Sequence, residues 1–311
     1  MRLASEPLTR RNLDEVVEFF RQVNPSAQKT WGWDTGRFMD WRWGSNTLRV
    51  EAKPNWFEDN CRIFRDGMGI RAVSVAENGG DDECIITPVE DPDAVRRVLD
   101  RLLASHGKLG LGLSFEIADS AQWLRAVFGA VGLHERPKTG YEFEFDLSEL
   151  TEPAPIPSGY TIESLSDDRA VDYAGIAECI KLAFAGDHDV ETVLGSLESN
   201  PFFRPELSVL ARSPEGRVAA YCRGTVDPVN GVCGIDPVCT HPDFGRRGRG
   251  RAVVQACLQT QSELGGQFSY IGSDHKPAPG AYLYESLGPS DRIDFCNWSL
   301  PAQMVAAASI G

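Results

Sequence analysis

The residues best suited to chemistry form a short loop rich in arginine and glycine. Residues 245–252 read Gly-Arg-Arg-Gly-Arg-Gly-Arg-Ala, in a chain whose formal net charge is −14. An apolar, strand-like segment precedes the loop at residues 231–240, and a helical pattern follows it. Glycines let backbone N–H groups turn toward one point, a helix N-terminus favours negative charge, and arginines bind phosphate oxygens. The arrangement therefore predicts a site for a ligand that carries a polyphosphate.

The loop differs from two common phosphate-binding loops. The Walker pattern needs a lysine that is missing here, and the dinucleotide fingerprint is G-x-G-x-x-G, whereas this loop reads G-x-x-G-x-G. A solvated basic turn and a nucleic-acid contact are the two other interpretations. The acidic composition of the whole chain argues against nucleic acid or an anionic membrane as its main partner.

Residues 155–300 resemble a GNAT-type N-acetyltransferase domain because they carry two motifs of that family in the right order. Residues 245–250 stand where the family has Arg/Gln-x-x-Gly-x-Gly/Ala, with Gly245 in place of the usual first residue. Residues 283–288, Leu-Tyr-Glu-Ser-Leu-Gly, match the family's Leu-Tyr-Glu-x-Leu-Gly. The resemblance implies an acyltransferase that uses acetyl-CoA as its acyl donor.

The resemblance also implies which residues contact the donor. The backbone of Val238, Cys239 and Thr240 is expected to run beside the pantetheine and to polarise the thioester carbonyl. Since the family transfers the acyl group directly, Cys239 is interpreted as a strand residue and not as a nucleophile. The pyrophosphate and nucleotide contacts are expected at Arg246, Arg247, Gly248, Arg249, Gly250, Arg251 and Ala252.

Asp236 and Tyr284 are the candidate catalytic residues. Asp236 stands where the family often has an acidic residue that deprotonates the amine, and with an ordinary pKa of ~4 it would have to be tuned or work through ordered water. The alternative is that Asp236 merely marks a bend or bulge in the strand. Tyr284 is expected to protonate the sulfur of the coenzyme, and its alternative is core packing. His241 is interpreted as a turn residue rather than a base.

The length of 311 residues predicts two domains. Residues 147–160 contain three prolines and are typical of a linker. On both sides of it the order of predicted strands and helices repeats, with strands at 141–147 and 232–240 among them. We therefore predict an α/β (α+β) protein of two tandem GNAT-like domains, at residues 1–150 and 155–311. Each has a mixed, mostly antiparallel central sheet flanked by helices.

The first domain lacks the features that would hold the donor. Its loop at residues 88–93 reads Pro-Val-Glu-Asp-Pro-Asp, so that prolines remove N–H donors and carboxylates repel a pyrophosphate. Glu90 and Asp93 are interpreted as favourable charges at a helix N-terminus. Phe128 occupies the position of Tyr284 and lacks the hydroxyl. We predict a degenerate copy that binds no cofactor.

An aromatic segment at residues 31–57 has two interpretations. It forms the core of the first domain and its contact with the second, or it forms an aromatic wall for a cationic or apolar substrate. The residues concerned are Trp31, Trp33, Phe38, Trp41, Trp43, Trp56 and Phe57.

The cysteines and the hydropathy of the chain favour a cytoplasmic protein. The eight cysteines contain no C-x-x-C pair, which predicts reduced core residues and no metal site. No apolar run is long enough to span a membrane, and the N-terminus has no signal-peptide pattern.

The expected function is transfer of an acetyl group from acetyl-CoA to a primary amine, and a small molecule is the preferred acceptor. The transfer is expected to be direct and to need no metal. The alternatives are acetylation of protein lysines or N-termini, and a non-catalytic acyl-CoA sensor. The protein is expected to be a monomer or homodimer with no nucleic-acid or membrane partner.

Overall fold

The computed structural model describes residues 3–23, 32–45, 49, 53–79, 83–153, 156, 158–184 and 189–308. The residues form two compact units. Unit 1 comprises Met1–Thr35, Arg49–Tyr141 and Ile293–Gly311. Unit 2 comprises Gly36–Leu48 and Glu142–Arg292.

The strands are β1 Ala4–Pro7, β2 Cys61–Asp66, β3 Gly69–Val75, β4 Ile85–Pro88, β5 Leu113–Ala118, β6 His134–Asp146, β7 Thr161–Ser164, β8 Ser208–Arg212, β9 Val218–Asp227, β10 Val232–Thr240, β11 Phe268–Asp274 and β12 Asp291–Leu300. The helices are α1 Leu13–Val23, α2 Thr35–Asp40, α3 Trp56–Asn60, α4 Pro92–Leu109, α5 Gln122–Ala130, α6 Arg169–Phe184, α7 Val190–Leu197, α8 Arg249–Glu263, α9 Pro279–Glu285 and α10 Ala302–Ala308. A π-helical turn, Trp41–Ser45, continues α2.

Unit 1 contains an antiparallel sheet in the order β1-β2-β3-β4, and β5 pairs antiparallel with residues Phe295–Leu300 of β12. Helix α1 contacts β3 and β4. Its apolar residues recur with the helical period and give it one buried face. These buried residues are Val16, Val17, Phe19, Phe20 and Val23.

Unit 2 contains a sheet in which β6, β11, β10, β9, β8 and β7 are neighbours in that order. Strands β7 to β10 pair antiparallel, whereas β10 and β11 pair parallel. A parallel pair needs a crossover connection, and helix α8 supplies it. The parallel pair places the beginning of α8 beyond the end of β10, where the arginine and glycine loop lies.

Helices pack on both faces of the unit 2 sheet. Tyr221 of β9 lies in a buried cluster with Ile176 of α6 and Leu194 of α7. Successive residues of a strand point to opposite faces. The next residue, Cys222, accordingly lies on the other face, near Cys257 of α8, which contributes to the raised pKa of its thiol. The sheet is thus the middle layer of three.

The predicted fold class is confirmed, since both units combine mostly antiparallel sheets with flanking helices. The element order from β2 to β6 repeats from β8 to β12. The strand predicted at 232–240 has those bounds. The strand predicted at 141–147 begins earlier, at His134. The sequence did not indicate its first residues because they are polar and exposed and show no apolar alternation. The short elements β1, α3 and α10 were not predicted.

The two units interleave along the sequence. Unit 1 takes the C-terminal residues of β12 together with α10, and unit 2 takes residues 36–48 and the last residues of β6. The division into consecutive domains at 1–150 and 155–311 stays a prediction.

The aromatic segment is shared between the two units. Phe38 and Trp41 are buried in unit 2, with ring centroids 6.1 Å apart. Trp56 and Phe57 are buried in unit 1, with ring centroids 5.3 Å apart. Trp31 lies outside the described residues. These rings serve as core residues in both units, and part of the segment belongs to unit 2.

All eight cysteines lie in the described chain, where each is buried and unbridged by a disulfide. None of the described helices is long and apolar enough to cross a membrane.

Candidate active site

Strands β10 and β11 separate and open a wedge at the centre of unit 2. Their parallel pairing covers Val232–Gly234 and Phe268–Tyr270. Beyond these residues β10 continues to Thr240 and β11 to Asp274 without pairing to each other. Among the described residues, the edge of β10 that faces β11 therefore has no strand partner over residues 235–240. We call this opening the β10–β11 wedge.

A β-bulge lies where the wedge begins. The pairing of β10 with β9 shifts register between Ile235 and Val238, so Asp236 and Pro237 protrude from the ladder. A bulge re-aims side chains locally. The strand thus has the bulge that the second interpretation of Asp236 expected, and the carboxylate is 60% exposed. Its role as a base stays a prediction.

Arg37 of helix α2 forms an ion pair with Asp236. The two residues are 199 positions apart in the sequence, and both belong to unit 2. No sequence pattern indicated this contact, because residues 36–48 precede most of unit 1 along the chain.

A buried ion pair anchors helix α2 to the sheet. Arg223 of β9 donates to both carboxylate oxygens of Asp40, at 2.9 and 2.8 Å, and Asn200 donates to one of them at 3.1 Å. Burial alone would lower the pKa of Arg223, but the facing Asp40 carboxylate outweighs burial and the pKa is raised. Asp40 and Arg37 are three residues apart on one helix, so they lie on the same side of it. The anchor therefore holds Arg37 near Asp236.

The loop before α8 presents its backbone N–H groups in a concave arrangement. Arg246 has φ 57° and Gly248 has φ 80°, both in the left-handed region. In the described part of the chain, the N–H groups of residues 246–248 donate to no backbone acceptor. The first N–H groups of a helix also lack intrahelical partners. Such a nest at a helix N-terminus binds anions.

Helix α8 is fixed relative to the sheet by Gln261. Its side-chain amide donates to the carbonyls of Thr225 and Gly234, at 3.0 and 2.9 Å. Gly234 is the last residue of β10 that pairs with β11. Gln261 therefore holds α8, whose N-terminus carries the loop, against the residue of β10 at which the wedge opens.

The arginines of the loop have different surroundings. Arg246 and Arg247 are exposed, and no described side chain forms an ion pair with either. Arg251 is half-buried and donates to the Ser286 hydroxyl at 3.3 Å. The exposed pair is therefore the part of the loop best placed to meet a phosphate from solvent.

The side chain of Arg249 points into unit 2. It is 2% exposed, donates to the carbonyl of Phe244 at 3.1 Å, and stacks on the Tyr160 ring at 3.9 Å. The sequence interpretation gave this residue a cofactor contact. Its side chain has a structural role instead, and only its backbone N–H remains available to the nest.

Gly250 lies where the loop, the wedge and helix α9 meet. A Cβ at this position would lie 2.8 Å from the Thr240 hydroxyl oxygen and 3.5 Å from Leu283. The first of these distances is shorter than ordinary contact, so the close approach requires glycine. Ala252, on the next turn of the helix, is buried.

Tyr284 of α9 is buried, with 6% of its surface exposed. Its ring packs edge-on against the ring of Phe143, with the two ring centroids 6.0 Å apart. Burial raises the pKa of the phenol above its ordinary value, and Cys222, Asp236 and Cys239 add to the rise. A raised pKa keeps the hydroxyl protonated and able to donate.

Two further residues near the wedge have structural roles. Cys239 lies 3.4 Å from Cys179, sulfur to sulfur, and this contact together with burial raises the pKa of its thiol. A protonated, buried thiol is a poor nucleophile. The His241 ring accepts from the backbone N–H of Asp243 at 3.2 Å and contacts Arg217, as expected for a turn residue.

The corresponding place in unit 1 has different chemistry. Asp91 caps helix α4 and accepts from the N–H groups of Asp93 and Ala94, both at 3.1 Å. Arg71 pairs with the same carboxylate. The anion that this helix N-terminus favours is thus supplied by the chain itself. The capping residue is Asp91, and Asp93 lies in the first turn of the helix, as expected for a favourable charge at a helix N-terminus.

Comparison with known proteins agrees with this geometry. The sequence model of the acetyltransferase (GNAT) family matches residues 176–288. These residues include β10, the loop, α8, β11 and α9, and they end at the last residue of the second motif.

Mycothiol acetyltransferase of Clavibacter michiganensis subsp. michiganensis (strain NCPPB 382) is 27% identical over 229 residues, which is 70% of this chain and 72% of that protein. A GCN5-related N-acetyltransferase from Sphaerobacter thermophilus has a TM-score of 0.63 at 14% identity, with 96% of both chains covered. A tandem GNAT protein from the clavulanic acid biosynthesis pathway has a TM-score of 0.62 at 15% identity, covering 97% of this chain and 99% of that one. At such identities the two structures show the fold alone.

The wedge, the loop at a helix N-terminus and the family match together define an acyltransferase. Residues 176–288 are similar to the GNAT acetyltransferase family, and the chain has the fold of the two GNAT structures named above.

Proposed function

We propose that unit 2 transfers an acetyl group from acetyl-CoA to the primary amine of a small molecule. The observation that carries this proposal is the β10–β11 wedge, which has the nest of residues 246–248 beyond the end of β10 and Tyr284 among its neighbours. An extended thioester with a pyrophosphate at one end matches this combination of an open strand edge and an anion-binding loop.

The donor fits the residues that are present. The nest and the exposed Arg246 and Arg247 would hold the pyrophosphate. The free edge of Val238–Thr240 would hold the pantetheine and supply an N–H donor to the thioester oxygen. Bound acetyl-CoA would supply an activated acyl group.

The chain's own side chains would move the protons. Asp236 would accept the proton of the ammonium group, through a water molecule, so that the neutral amine attacks the thioester carbon. A C–N bond forms and the C–S bond breaks. Tyr284 would give its proton to the departing sulfur, and the proton that the acceptor nitrogen loses as the amide forms would return to the Tyr284 oxygen. Burial raises the pKa of Tyr284, so the phenol is protonated at neutral pH before the transfer.

The surroundings of Asp236 favour a small acceptor over a protein chain. Helix α2 reaches Asp236 through Arg37 and so occupies one side of the bulge. We infer that this helix narrows the approach of an acceptor to Asp236. Protein acetylation and non-catalytic acyl-CoA binding are outcomes that the experiment below separates.

We further propose that unit 1 is a degenerate copy that binds no acetyl-CoA. The Asp91 carboxylate already accepts from the N–H groups at the start of α4. A pyrophosphate would have to displace this carboxylate and overcome its negative charge.

The experiment measures release of free coenzyme A from acetyl-CoA in the presence of small amines and of lysine-containing peptides. The wild-type protein is expected to turn over with a small amine. Tyr284→Phe is expected to lower kcat about 100-fold, as loss of a general acid does, while the affinity for acetyl-CoA stays unchanged. Tyr282→Phe, on the exposed side of the same helix, is the matched control. Binding of acetyl-CoA without turnover on any amine would favour the sensor, and turnover on peptides alone would favour a protein acetyltransferase.

A further inference from the structure

His241 begins a short turn that leads directly into the loop before α8. The 3₁₀ turn Pro242–Phe244 follows it, and Gly245 then leads into the nest of residues 246–248. The His241 side chain is buried, and its backbone N–H donates to the carbonyl of Ala219 in β9 at 3.0 Å. The beginning of the turn is therefore attached to the sheet of unit 2.

The imidazole of His241 completes the hydrogen bonds of this turn. Pro242 has no N–H group, and the N–H of Phe244 donates to the carbonyl of His241 at 2.9 Å. The N–H of Asp243 donates to Nδ1 of the His241 ring at 3.2 Å, and within the described part of the chain it has no backbone acceptor. The ring therefore accepts the N–H that the backbone of the turn leaves over.

The surroundings of the ring define which nitrogen carries the proton. Arg217 Nη2 lies 3.0 Å from Nε2, so N–H donors face both ring nitrogens. A neutral imidazole has one acceptor nitrogen, and an imidazolium has none. The backbone N–H is fixed by the turn, whereas the Arg217 guanidinium also donates to Asp243 at 3.2 Å and to Glu178 at 3.3 Å. Nδ1 is therefore the acceptor, and the proton on Nε2 faces Glu178, whose oxygen lies 3.6 Å away.

Phe244 connects this turn to the nest. Its carbonyl accepts from the Arg249 guanidinium at 3.1 Å, so a side chain of α8 joins the two ends of the segment that contains the nest. The ring of Phe244 packs against the ring of His241, with the centroids 5.4 Å apart. The turn thus holds one end of the nest, and α8, which Gln261 fixes to the sheet, holds the other.

We propose that His241 is a positioning residue of the donor site, whose neutral ring holds the turn through Nδ1 and so keeps the nest ready for the pyrophosphate. This inference rests on the proposed function. His241 moves no proton in the reaction. When the acceptor at Nδ1 is lost, the N–H of Asp243 loses its partner and the turn is no longer held. Ordering of the nest must then accompany binding of the donor, and this lowers the affinity.

Two amide variants separate the roles of the two ring nitrogens. The amide group of asparagine lies near the position of Nδ1, whereas that of glutamine reaches the position of Nε2. His241→Asn keeps a capping acceptor and is expected to bind acetyl-CoA within about 3-fold of the wild-type affinity. His241→Gln is expected to weaken binding about 10-fold, as loss of a cap does. Calorimetric titration with acetyl-CoA measures both affinities.

Kinetics distinguish positioning from proton transfer. In His241→Gln the KM for acetyl-CoA should rise about 10-fold, while kcat at saturating acetyl-CoA stays within about 3-fold of the wild-type value. A residue that moves a proton would instead lower kcat about 100-fold or more. Release of coenzyme A with the best small amine is the assay.

NMR of the histidine rings tests the assignment of the proton directly. Long-range ¹H–¹⁵N correlation of the wild-type protein should show His241 with an unprotonated Nδ1 and a protonated Nε2 at neutral pH. The chain has five histidines, and the signals missing from the spectrum of His241→Asn identify this one. A proton on Nδ1 would contradict the proposal.

The outcomes separate this inference from the proposed function. Wild-type affinity for acetyl-CoA in His241→Gln, or a large fall in kcat with unchanged KM, overturns the positioning role while the acetyltransferase remains. Failure of the wild-type protein to bind acetyl-CoA overturns the proposed function and the inference together. Circular dichroism checks that each variant is folded, and if His241→Gln is not, the position of the ring proton decides.

Discussion

Arg223 and Asp40 join two segments 183 residues apart through a buried, two-pronged ion pair. The aspartate comes from the N-terminal part of the sequence and the arginine from the central sheet of unit 2. This contact attaches helix α2 to the unit that carries the GNAT motifs, and it places Arg37 beside the candidate base.

Loss of one partner of this pair is expected to be costly. Asp40→Asn should reduce the free energy of unfolding by about 3–5 kcal/mol, because it leaves the Arg223 charge buried without compensation. Denaturant unfolding followed by tryptophan fluorescence measures the change. The control is Asp59→Asn, which removes the exposed Lys53–Asp59 pair and should cost about 0–1 kcal/mol. Equal effects of the two substitutions would contradict the anchoring role of Asp40.

Gly250 is expected to be required for steric reasons. Gly250→Ala should destabilise the protein by about 1–3 kcal/mol and weaken binding of acetyl-CoA, because the new Cβ meets the Thr240 hydroxyl. Thr240→Ala in the same chain removes that atom and should restore most of the stability. Gly245→Ala is the matched control, since its Cβ would meet nothing closer than 3.5 Å. Thermal unfolding and calorimetry provide the two measurements, and failure of the rescue would show that the clash is elsewhere.

Buried thiols predict a loss of stability in alkaline solution. Burial raises the pKa of Cys61 and of Cys222, so both stay protonated in the folded protein where unfolded thiols ionise, near pH ~8.5. The stabilising effect is complete below that pH and is lost as the pH rises above it, by about 1.4 kcal/mol per pH unit for each such thiol. Denaturant unfolding from pH 7 to 10 under reducing conditions measures the slope. Cys61→Ala should make the slope shallower, and an unchanged slope would contradict the interpretation.

The cap of helix α4 makes a prediction for unit 1. Asp91→Ala should cost about 1 kcal/mol, because two N–H groups lose their acceptor. Hydrogen bonds from Ala94 and the nearby Arg71 lower the pKa of Asp91, so its contribution is present above the ordinary carboxyl pKa and is lost as the pH falls. Glu90→Ala is the neighbouring control and should change stability by less than about 0.5 kcal/mol. Acid unfolding curves of both variants test the assignment.

Local patterns predicted most of the fold and of the loop. Strand β10 and helix α8 could be predicted because the apolar residues of each follow one another along the chain. The glycines of the loop mark the boundary between the two elements. The ion pair of Arg37 with Asp236 was not predictable, since neither residue shows a pattern that points to the other across 199 positions. The surroundings of the Arg249 side chain were not predictable for a related reason. Its charge suggested a phosphate contact, while its true partners, Phe244 and Tyr160, become neighbours only in the folded unit.

The central claim is that one nest, in unit 2, binds the acyl donor. Calorimetric titration with acetyl-CoA and with desulfo-CoA tests it most directly. We predict one site per chain, and we predict that Arg246→Glu with Arg247→Glu abolishes binding, because the two changes reverse the charge of the exposed side chains beside the nest. Two sites per chain would contradict the silent role of unit 1, and no binding to the wild-type protein would contradict the assignment of the wedge as the donor site.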